Sequence, residues 1–417
     1  MKEVLFILTR PFIPSHGGGE KMLLQAIEFI PNEYKVHVFY FSSNSIADNT
    51  NFEVKLKENY PTIKEIKALK FPSFIEIFAN ILLRRTSLNE SFFYSRSSLA
   101  VILKLIYSSN FECVYCDMLR TAQYVENIDL PKVVDLDDLL SKRYMRLLNY
   151  KTSNLSLFGT FSNRNNFFFN LISNFFVRPV LFVEHYLIKK REILIASKFD
   201  RVAIVSPVDA LQLSNYIGKH VFALPPARAF KMDGFHKSDF YHSDEFRFLF
   251  VGNLTTNQNF SSIEMIITKL LPKIRAFNVS FTFNVVGVYD SRLHYLKDIP
   301  DVNLIGYCED LRSVYESNDI LLAPLSFGTG IKLKIIDAIE YGLPVVTNSV
   351  GAEGLPIFDM ENAVVSDDFD DMAAKINQII LNRQFLTDFR KNAIASLSKS
   401  FTTQIVKKKF VSFLSGL

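Results

Sequence analysis

Cysteine is scarce in this chain, charge is nearly balanced and long apolar runs are missing. Each absence removes a class of protein. There are three cysteines in 417 residues. Two of them form Cys113-x-x-Cys116 inside the strand-like run Phe111 to Cys116. No second pair completes a zinc site, and no helix begins between the thiols as a redox motif requires. The pattern predicts buried, reduced cysteines of a cytosolic protein. A formal charge of +4 is too small to make nucleic acid the main partner. The best candidate for a membrane span, residues 167–187, is interrupted by Asn170, Ser173, Asn174, Arg178, Pro179 and Glu184. It therefore falls short of the roughly 18 uninterrupted apolar residues a spanning helix needs. Met1 to Arg10 has too short an apolar run for a signal peptide and lacks a small-residue cleavage site, so it reads as a first strand. The expectation is a cytoplasmic protein, or one peripheral to the inner face of the plasma membrane.

What is present is a hydrophobic fraction of 48%, which excludes a largely disordered chain, and a length sufficient for two domains with their own cores. Short apolar runs alternate with longer amphipathic stretches. Strands are predicted at Val4 to Leu8, Lys35 to Phe41, Cys113 to Tyr115, Val133 to Leu136 and Arg201 to Val205. The second half repeats the rhythm at Phe246 to Val251, Ser280 to Val286, Val302 to Leu304, Ile320 to Ala323 and Pro344 to Asn348. Helices are predicted between them at Ser262 to Phe277, Leu311 to Ser317 and Asp370 to Asn382. Such alternation predicts an α/β chain of two doubly wound, Rossmann-like domains. Their boundary is expected within His220 to Glu245, where Pro225-Pro226, Gly234 and a polar cluster break the pattern. This gives domains over 1–222 and 223–400.

One segment points to chemistry. The run Ile320 to Leu325 meets Gly328 and Gly330, after which Ile331, Ile335, Ala338 and Ile339 recur at helical spacing. The glycines thus stand where a helix is expected to begin. Free backbone N–H groups and the positive end of the helix dipole favour an anion there. Lys332 and Lys334 add charge, Asp337 follows about a turn later, and Gly342-Leu343-Pro344 ends the helix. Phosphate donors followed by a carboxylate suit a nucleoside diphosphate whose sugar hydroxyls meet the acid. An ordinary strand–loop–helix with two solvated lysines fits the spacing as well. Nucleotides bind beyond the carboxyl ends of such strands, so with a similar domain opposite, the site is expected in an interdomain cleft.

Aromatic residues crowd the middle. Between Leu155 and Tyr186 stand Phe158, Phe161, Phe167, Phe168, Phe169, Phe175, Phe176 and Phe182, with Arg164, Arg178 and Lys189-Lys190-Arg191 among or after them. Such a stretch is either a core helix or one lying in an anionic lipid interface. Residues 71–85 (FPSFIEIFANILLRR) carry the same ambiguity.

Taken with Val346 to Leu355 (VTNSVGAEGL), the Gly-Thr-Gly-Ile-Lys segment resembles the carboxyl-domain signature of group 1 glycosyltransferases, the GT4 family, in a branch carrying this motif. Phe250 to Leu254, Asn259 and Leu271-Pro272 look like the first strand, loop and helix of that family's donor domain. Val302 to Leu311 resembles its next glycine-containing turn, where Glu309 and Asp310 either face the base or cap a helix. Pro14 to Glu20, Val134 to Ser141 and Ile204 to Ser206 occupy family-like positions in the first half.

The resemblance implies a GT-B fold, with an acceptor domain (1–222), a nucleotide-sugar donor domain (223–400) and a terminal helix (401–417) returning to the first. It implies a retaining, metal-independent hexosyltransferase with no cofactor. The implied transfer runs from a nucleoside diphosphate sugar to a lipid-linked glycan acceptor, as in capsule, exopolysaccharide or O-antigen assembly. Donor contacts fall on Gly252, Asn253, Gly328, Thr329, Gly330, Ile331, Lys332, Lys334 and Asp337, the last expected at ribose hydroxyls. Fixed cations at a departing diphosphate lower the barrier, which makes Lys332 a catalytic candidate. Gly17, Gly18 and Gly19 either cover the phosphates or make a tight turn. His16 assists acceptor or phosphate binding or is merely solvated. Among Asp135, Asp137 and Asp138, a cleft role for Asp138 facing sugar or acceptor is preferred to metal ligation. Thr329 stands where the family's first paired acid would be, and Asp337 is shorter than the family's glutamate. Those departures leave open a non-catalytic nucleotide-sugar binder or assembly subunit, with a GT-B epimerase as a minor enzymatic alternative.

Overall fold

The computed structural model describes residues 2–13, 18–84, 86–149, 174–230 and 245–416, with side chains omitted for 174–176. The chain divides into two compact units, the second being Arg228–Ile405. Strands of the first unit are β1 (Lys2–Leu8), β2 (Tyr34–Phe41), β3 (Ile63–Leu69), β4 (Cys113–Asp117), β5 (Lys132–Asp135), β6 (Arg201–Ile204) and β7 (Val221–Ala223). They form one parallel sheet in the order β3-β2-β1-β4-β5-β6-β7. Val4 to Leu8 is buried on both faces, as a central parallel strand must be. Val4, Phe6 and Leu8 share a core with Leu23, Ala26 and Ile27 of the helix Gly18–Glu28. Phe6 stacks on Tyr115 of β4 with centroids 4.4 Å apart.

Both β4 cysteines are buried and unbonded. Burial pushes the Cys113 thiol up to about 12 and raises that of Cys116 as well, so these are packing residues rather than reactive ones.

The second unit holds β8 (Phe246–Val251), β9 (Phe281–Val286), β10 (Val302–Gly306), β11 (Ile320–Ala323), β12 (Val345–Thr347) and β13 (Val364–Val365), parallel in the order β10-β9-β8-β11-β12-β13. Side chains alternate between two cores. Phe248, Phe250, Phe283, Val285 and Leu322 enter one; Leu249, Val251, Val286, Leu321 and Ala323 enter the other. Each fully buried Phe, Leu or Val among them contributes about 1.5–3 kcal/mol. In both sheets the strand order reverses direction between the first strand and the fourth, at β1/β4 and at β8/β11. That topological switch opens a crevice at the carboxyl ends of the two strands.

Several sequence readings are corrected. The break at 222/223 falls inside β7, and the first unit runs to Ala227. The second ends at Ile405 rather than 400, because Arg228 and Thr402 pair as an isolated bridge and the Arg228 N–H donates to the Phe401 carbonyl. The final helix, Thr403–Leu414, buries Val406, Phe410, Phe413 and Leu414 in the first unit's core. β3 was illegible because it is an edge strand on which Lys64, Glu65 and Lys67 are tolerated. The single helix expected over Ser262 to Phe277 begins at Asn257, where Thr256 caps it by accepting from the Asn259 N–H. It then widens over Ile266–Leu270 before resuming at Leu271–Arg275. Pro272 has no N–H to give to the preceding turn, and the ladder loosens there.

Among the described residues no helix is long and apolar enough to cross a membrane.

Candidate functional site

The donor-type residues gather at the β8/β11 switch of the second unit. β8 runs into Gly252-Asn253, and β11 into the loop Pro324 to Lys332, followed by the helix Leu333–Glu340. The helix starts three residues after Gly330, not at the glycines as the spacing suggested. Lys332 is the cause. It has extended backbone and serves as the N-cap residue. Its buried ammonium donates to the carbonyls of Thr329 (2.9 Å) and Gly330 (2.7 Å), folding the Gly-Thr-Gly loop back over itself. Asn348 fixes the start of that loop. Its Oδ1 accepts from the Leu325 N–H (3.0 Å) and its Nδ2 donates to the Leu325 carbonyl (2.8 Å).

The two loops are joined by residues far apart in sequence. Asn259 Nδ2 donates to the Asn253 carbonyl (2.8 Å), while its Oδ1 accepts from Lys334 Nζ (2.7 Å). The Lys334 ammonium also lies 3.9 Å from the centroid of the Phe250 ring. Burial first, and the neighbouring Lys332 charge second, push Lys334 down to about 7. Its proton is therefore loosely held near neutrality, and an anion placed beside it would hold that proton more firmly.

Two glycines are demanded by contact. A Cβ on Gly287 would come within 1.7 Å of the Gly252 carbonyl oxygen, so the backbones after β8 and β9 touch only because that side chain is absent. Gly328 has φ +142°, and a Cβ there would come within 2.5 Å of Gln258 Nε2. Gly328→Ala is expected to distort the loop but not the sheet. Calorimetry should show an unfolding midpoint within a few degrees of the wild type.

Asp337, expected at ribose hydroxyls, is engaged within the second unit through one of its carboxylate oxygens. Its Oδ1 accepts from Arg228 Nη2 (2.6 Å) and Nε (3.1 Å), and the same guanidinium reaches Glu340 at 3.1 Å. The acid's charge is matched within the protein. Asp310 is a helix cap, accepting from the N–H groups of Arg312 (3.1 Å) and Ser313 (3.3 Å).

In the first unit, Asp138 is buried and bound by Arg143 through Nη2 (2.5 Å) and Nε (3.0 Å). Asp135 accepts from the Tyr115 hydroxyl (3.0 Å), and burial raises it to about 6. Burial, then the Asp138 charge, raises Asp137 to about 7. Among the described residues, no three His, Cys, Asp or Glu side chains converge as a metal shell. Gly18 and Gly19 are the first residues of a helix rather than part of a loop, with the Arg10 guanidinium 3.3 Å from where a Gly19 Cβ would stand. His16 and Gly17 lie outside the described residues, as do Phe158 to Phe169 of the aromatic stretch.

Asn259 was legible only through its family-like position. Gln258, Gly287 and Arg228 carried no signal, since each acts on a partner distant in sequence.

Two Rossmann-like units with sheets of this order define a GT-B protein. Solved structures agree along the whole chain. Sucrose-phosphate synthase from Thermosynechococcus elongatus is 13% identical, with a TM-score of 0.66, covering 99% of this chain and 98% of that one. Anabaena HepE, solved with UDP and glucose, is 14% identical with a TM-score of 0.63 over 100% of both chains. WaaG, a glycosyltransferase involved in lipopolysaccharide biosynthesis, is 12% identical with a TM-score of 0.57, covering 99% and 100%. Residues 245–382 match the model of the glycosyl transferases group 1 family. The Arg228–Ile405 unit thus belongs to the group 1 glycosyltransferases. A 44.6 kDa protein in the cps region of Klebsiella pneumoniae is 25% identical over 249 residues, covering 57% of this chain and 62% of that protein's length.

Proposed function

We propose that the protein transfers a sugar from a nucleoside diphosphate donor to a glycan acceptor, lipid-linked, in bacterial surface polysaccharide assembly at the inner face of the plasma membrane. The observation that carries the reading is the meeting of Lys332, Lys334 and the Gly-Thr-Gly loop at the β8/β11 switch. The bond from the anomeric carbon to the phosphate oxygen breaks, and the electron pair leaves with the diphosphate. Two ammonium groups meet the charge that develops there, so no metal is needed in this reading. The acceptor hydroxyl attacks from the face the diphosphate leaves, its proton passes to the departing phosphate, and configuration is retained. The solved relative bound to UDP and glucose supports the donor class. The relative from a cps region supports the polysaccharide context.

A second reading, a nucleotide-sugar binder without turnover, is favoured by Thr329 at the first acid position and by the Arg228 pairing of Asp337.

Thermal unfolding against UDP, GDP, ADP, CMP, dTDP and their sugars, with and without EDTA, tests both. A ligand at 100 times its Kd stabilises by about 2.7 kcal/mol. The expected result is a rise for one base family that survives EDTA, accompanied by sugar release or transfer. A rise without turnover, for any acceptor preparation, selects the binder. No rise with any nucleotide removes both.

A further inference from the structure

The helix Phe74–Ala79 and its continuation Asn80–Arg84 are oriented the wrong way round for a surface helix. Mounting is firm. Ser73 caps the first turn in a reciprocal box with Glu76, and the Ser73 N–H holds the Glu76 carboxyl below the usual range. Ile77 and Asn80 face inward, and Asn80 Nδ2 donates to the carbonyls of Ser91 (3.1 Å) and Tyr94 (2.8 Å). Arg84 lies over the Tyr94 ring at 3.5 Å and donates to Gln123 at 3.0 Å. The outward residues ought then to be polar. Instead they are Phe74 (57% exposed), Ile75 (84%), Phe78 (59%), Leu82 (59%) and Leu83 (76%).

Together these side chains present on the order of 600 Å² of apolar surface, at the upper limit of the patches that monomeric soluble proteins expose. A helix held rigidly by its polar groups while it offers large hydrophobes outward is built to bury them in something else. Charge selects the occupant. Residues 67–108, which contain this helix, hold six Lys and Arg against two Glu. Of those two acids, Glu90 is buried against Arg191 and Glu76 is taken up in the cap. Lys67, Lys70 and Arg96 are exposed. Glu76 also faces Arg96, whose N–H donates to it at 3.2 Å, which leaves Lys67 and Lys70 as the larger part of the excess charge. Apolar side chains beside an excess of cations match the acyl boundary and headgroups of an anionic bilayer.

We infer that residues 74–84 form an interfacial anchor that lays the first unit on an anionic membrane surface, with Ile75, Phe78, Leu82 and Leu83 entering the acyl region. No residue of the second unit takes part, so vesicle binding and nucleotide binding fail independently.

The test is flotation of the full chain with vesicles of phosphatidylcholine containing one third phosphatidylglycerol, and with phosphatidylcholine alone. The wild type is expected to float with the anionic vesicles at low salt and far less with the neutral ones. Ile75→Glu combined with Leu83→Glu should lower the partition coefficient at least about tenfold. Both positions are exposed, so the unfolding midpoint and any nucleotide-induced shift should be retained. Lys70→Ala with Arg96→Ala should weaken anionic binding and leave neutral binding unchanged. Three results overturn the inference: a wild type that stays soluble with both vesicles, an Ile75/Leu83 variant that floats like the wild type, or equal flotation on neutral and anionic vesicles. Loss of self-association in that variant, without any vesicle binding by the wild type, would assign the face to a second copy instead.

Discussion

Lys332→Ala is expected to lower kcat/KM for glycosyl transfer by about 10²–10³-fold, with the loss mainly in kcat. Two effects act together. The substitution deletes a buried cation beside the loop proposed to hold the departing diphosphate, and it releases the Thr329 and Gly330 carbonyls that this ammonium ties together. Lys332→Arg separates them. Arginine keeps the charge but carries a planar fork that cannot reproduce a point-donor contact to two carbonyls two residues or three away. If charge dominates, the arginine variant recovers a large part of the rate; if loop shape dominates, it resembles alanine. Steady-state kinetics with the donor found by thermal shift provide the measurement. Turnover equal to the wild type in Lys332→Ala would remove this residue from the mechanism.

Lys334→Met should do the opposite to the empty protein. Burial lowers Lys334 from the ordinary lysine value to about 7 in the fold, so below pH 7 the folded state holds a charge that the unfolded chain carries more easily. The unfolded state binds more protons between about pH 7 and 10.5, so stability from this group rises as pH climbs through that window. Removing the amine should therefore stabilise the protein by on the order of 2–4 kcal/mol at pH 6, and by progressively less as pH approaches 10. The same variant should lose about tenfold or more in nucleotide affinity. Wild-type affinity should be greatest at or below pH 7 and fall above it, because the diphosphate favours the protonated amine. Titration calorimetry in buffers of different ionisation enthalpy should show close to one proton taken up at pH 8 by the wild type and none at this position by the variant. A destabilised Lys334→Met protein would show that the Asn259 and Phe250 contacts outweigh desolvation.

Much of the scaffold was readable from periodicity. β8 and β11 fell where the apolar runs placed them, because a central parallel strand is a continuous hydrophobic word. β13 has two residues and β7 three, too few for any pattern to register. Within the candidate site, Gly328, Gly330 and both lysines stood out because the pattern that suggests an anion loop is local. The Lys334–Asn259 contact spans 75 residues and the Arg228–Asp337 pair 109, and nothing in spacing reports a partner at that range. Helix onset was misplaced for a related reason. Ile331 continues the helical period, but a lysine that turns its side chain back onto the Thr329 and Gly330 carbonyls cannot also begin the helix there.

The burial of Phe410, Phe413 and Leu414 in the first unit carries a consequence for biosynthesis. These residues emerge from the ribosome after all of Arg228–Ile405. The unit translated first therefore cannot close its core until translation has passed residue 414, while the unit translated second has its whole sequence in hand earlier. Order of synthesis and order of completion are reversed. A chain truncated before residue 406 and released from the ribosome should present a complete second unit and an open, chaperone-accessible first sheet.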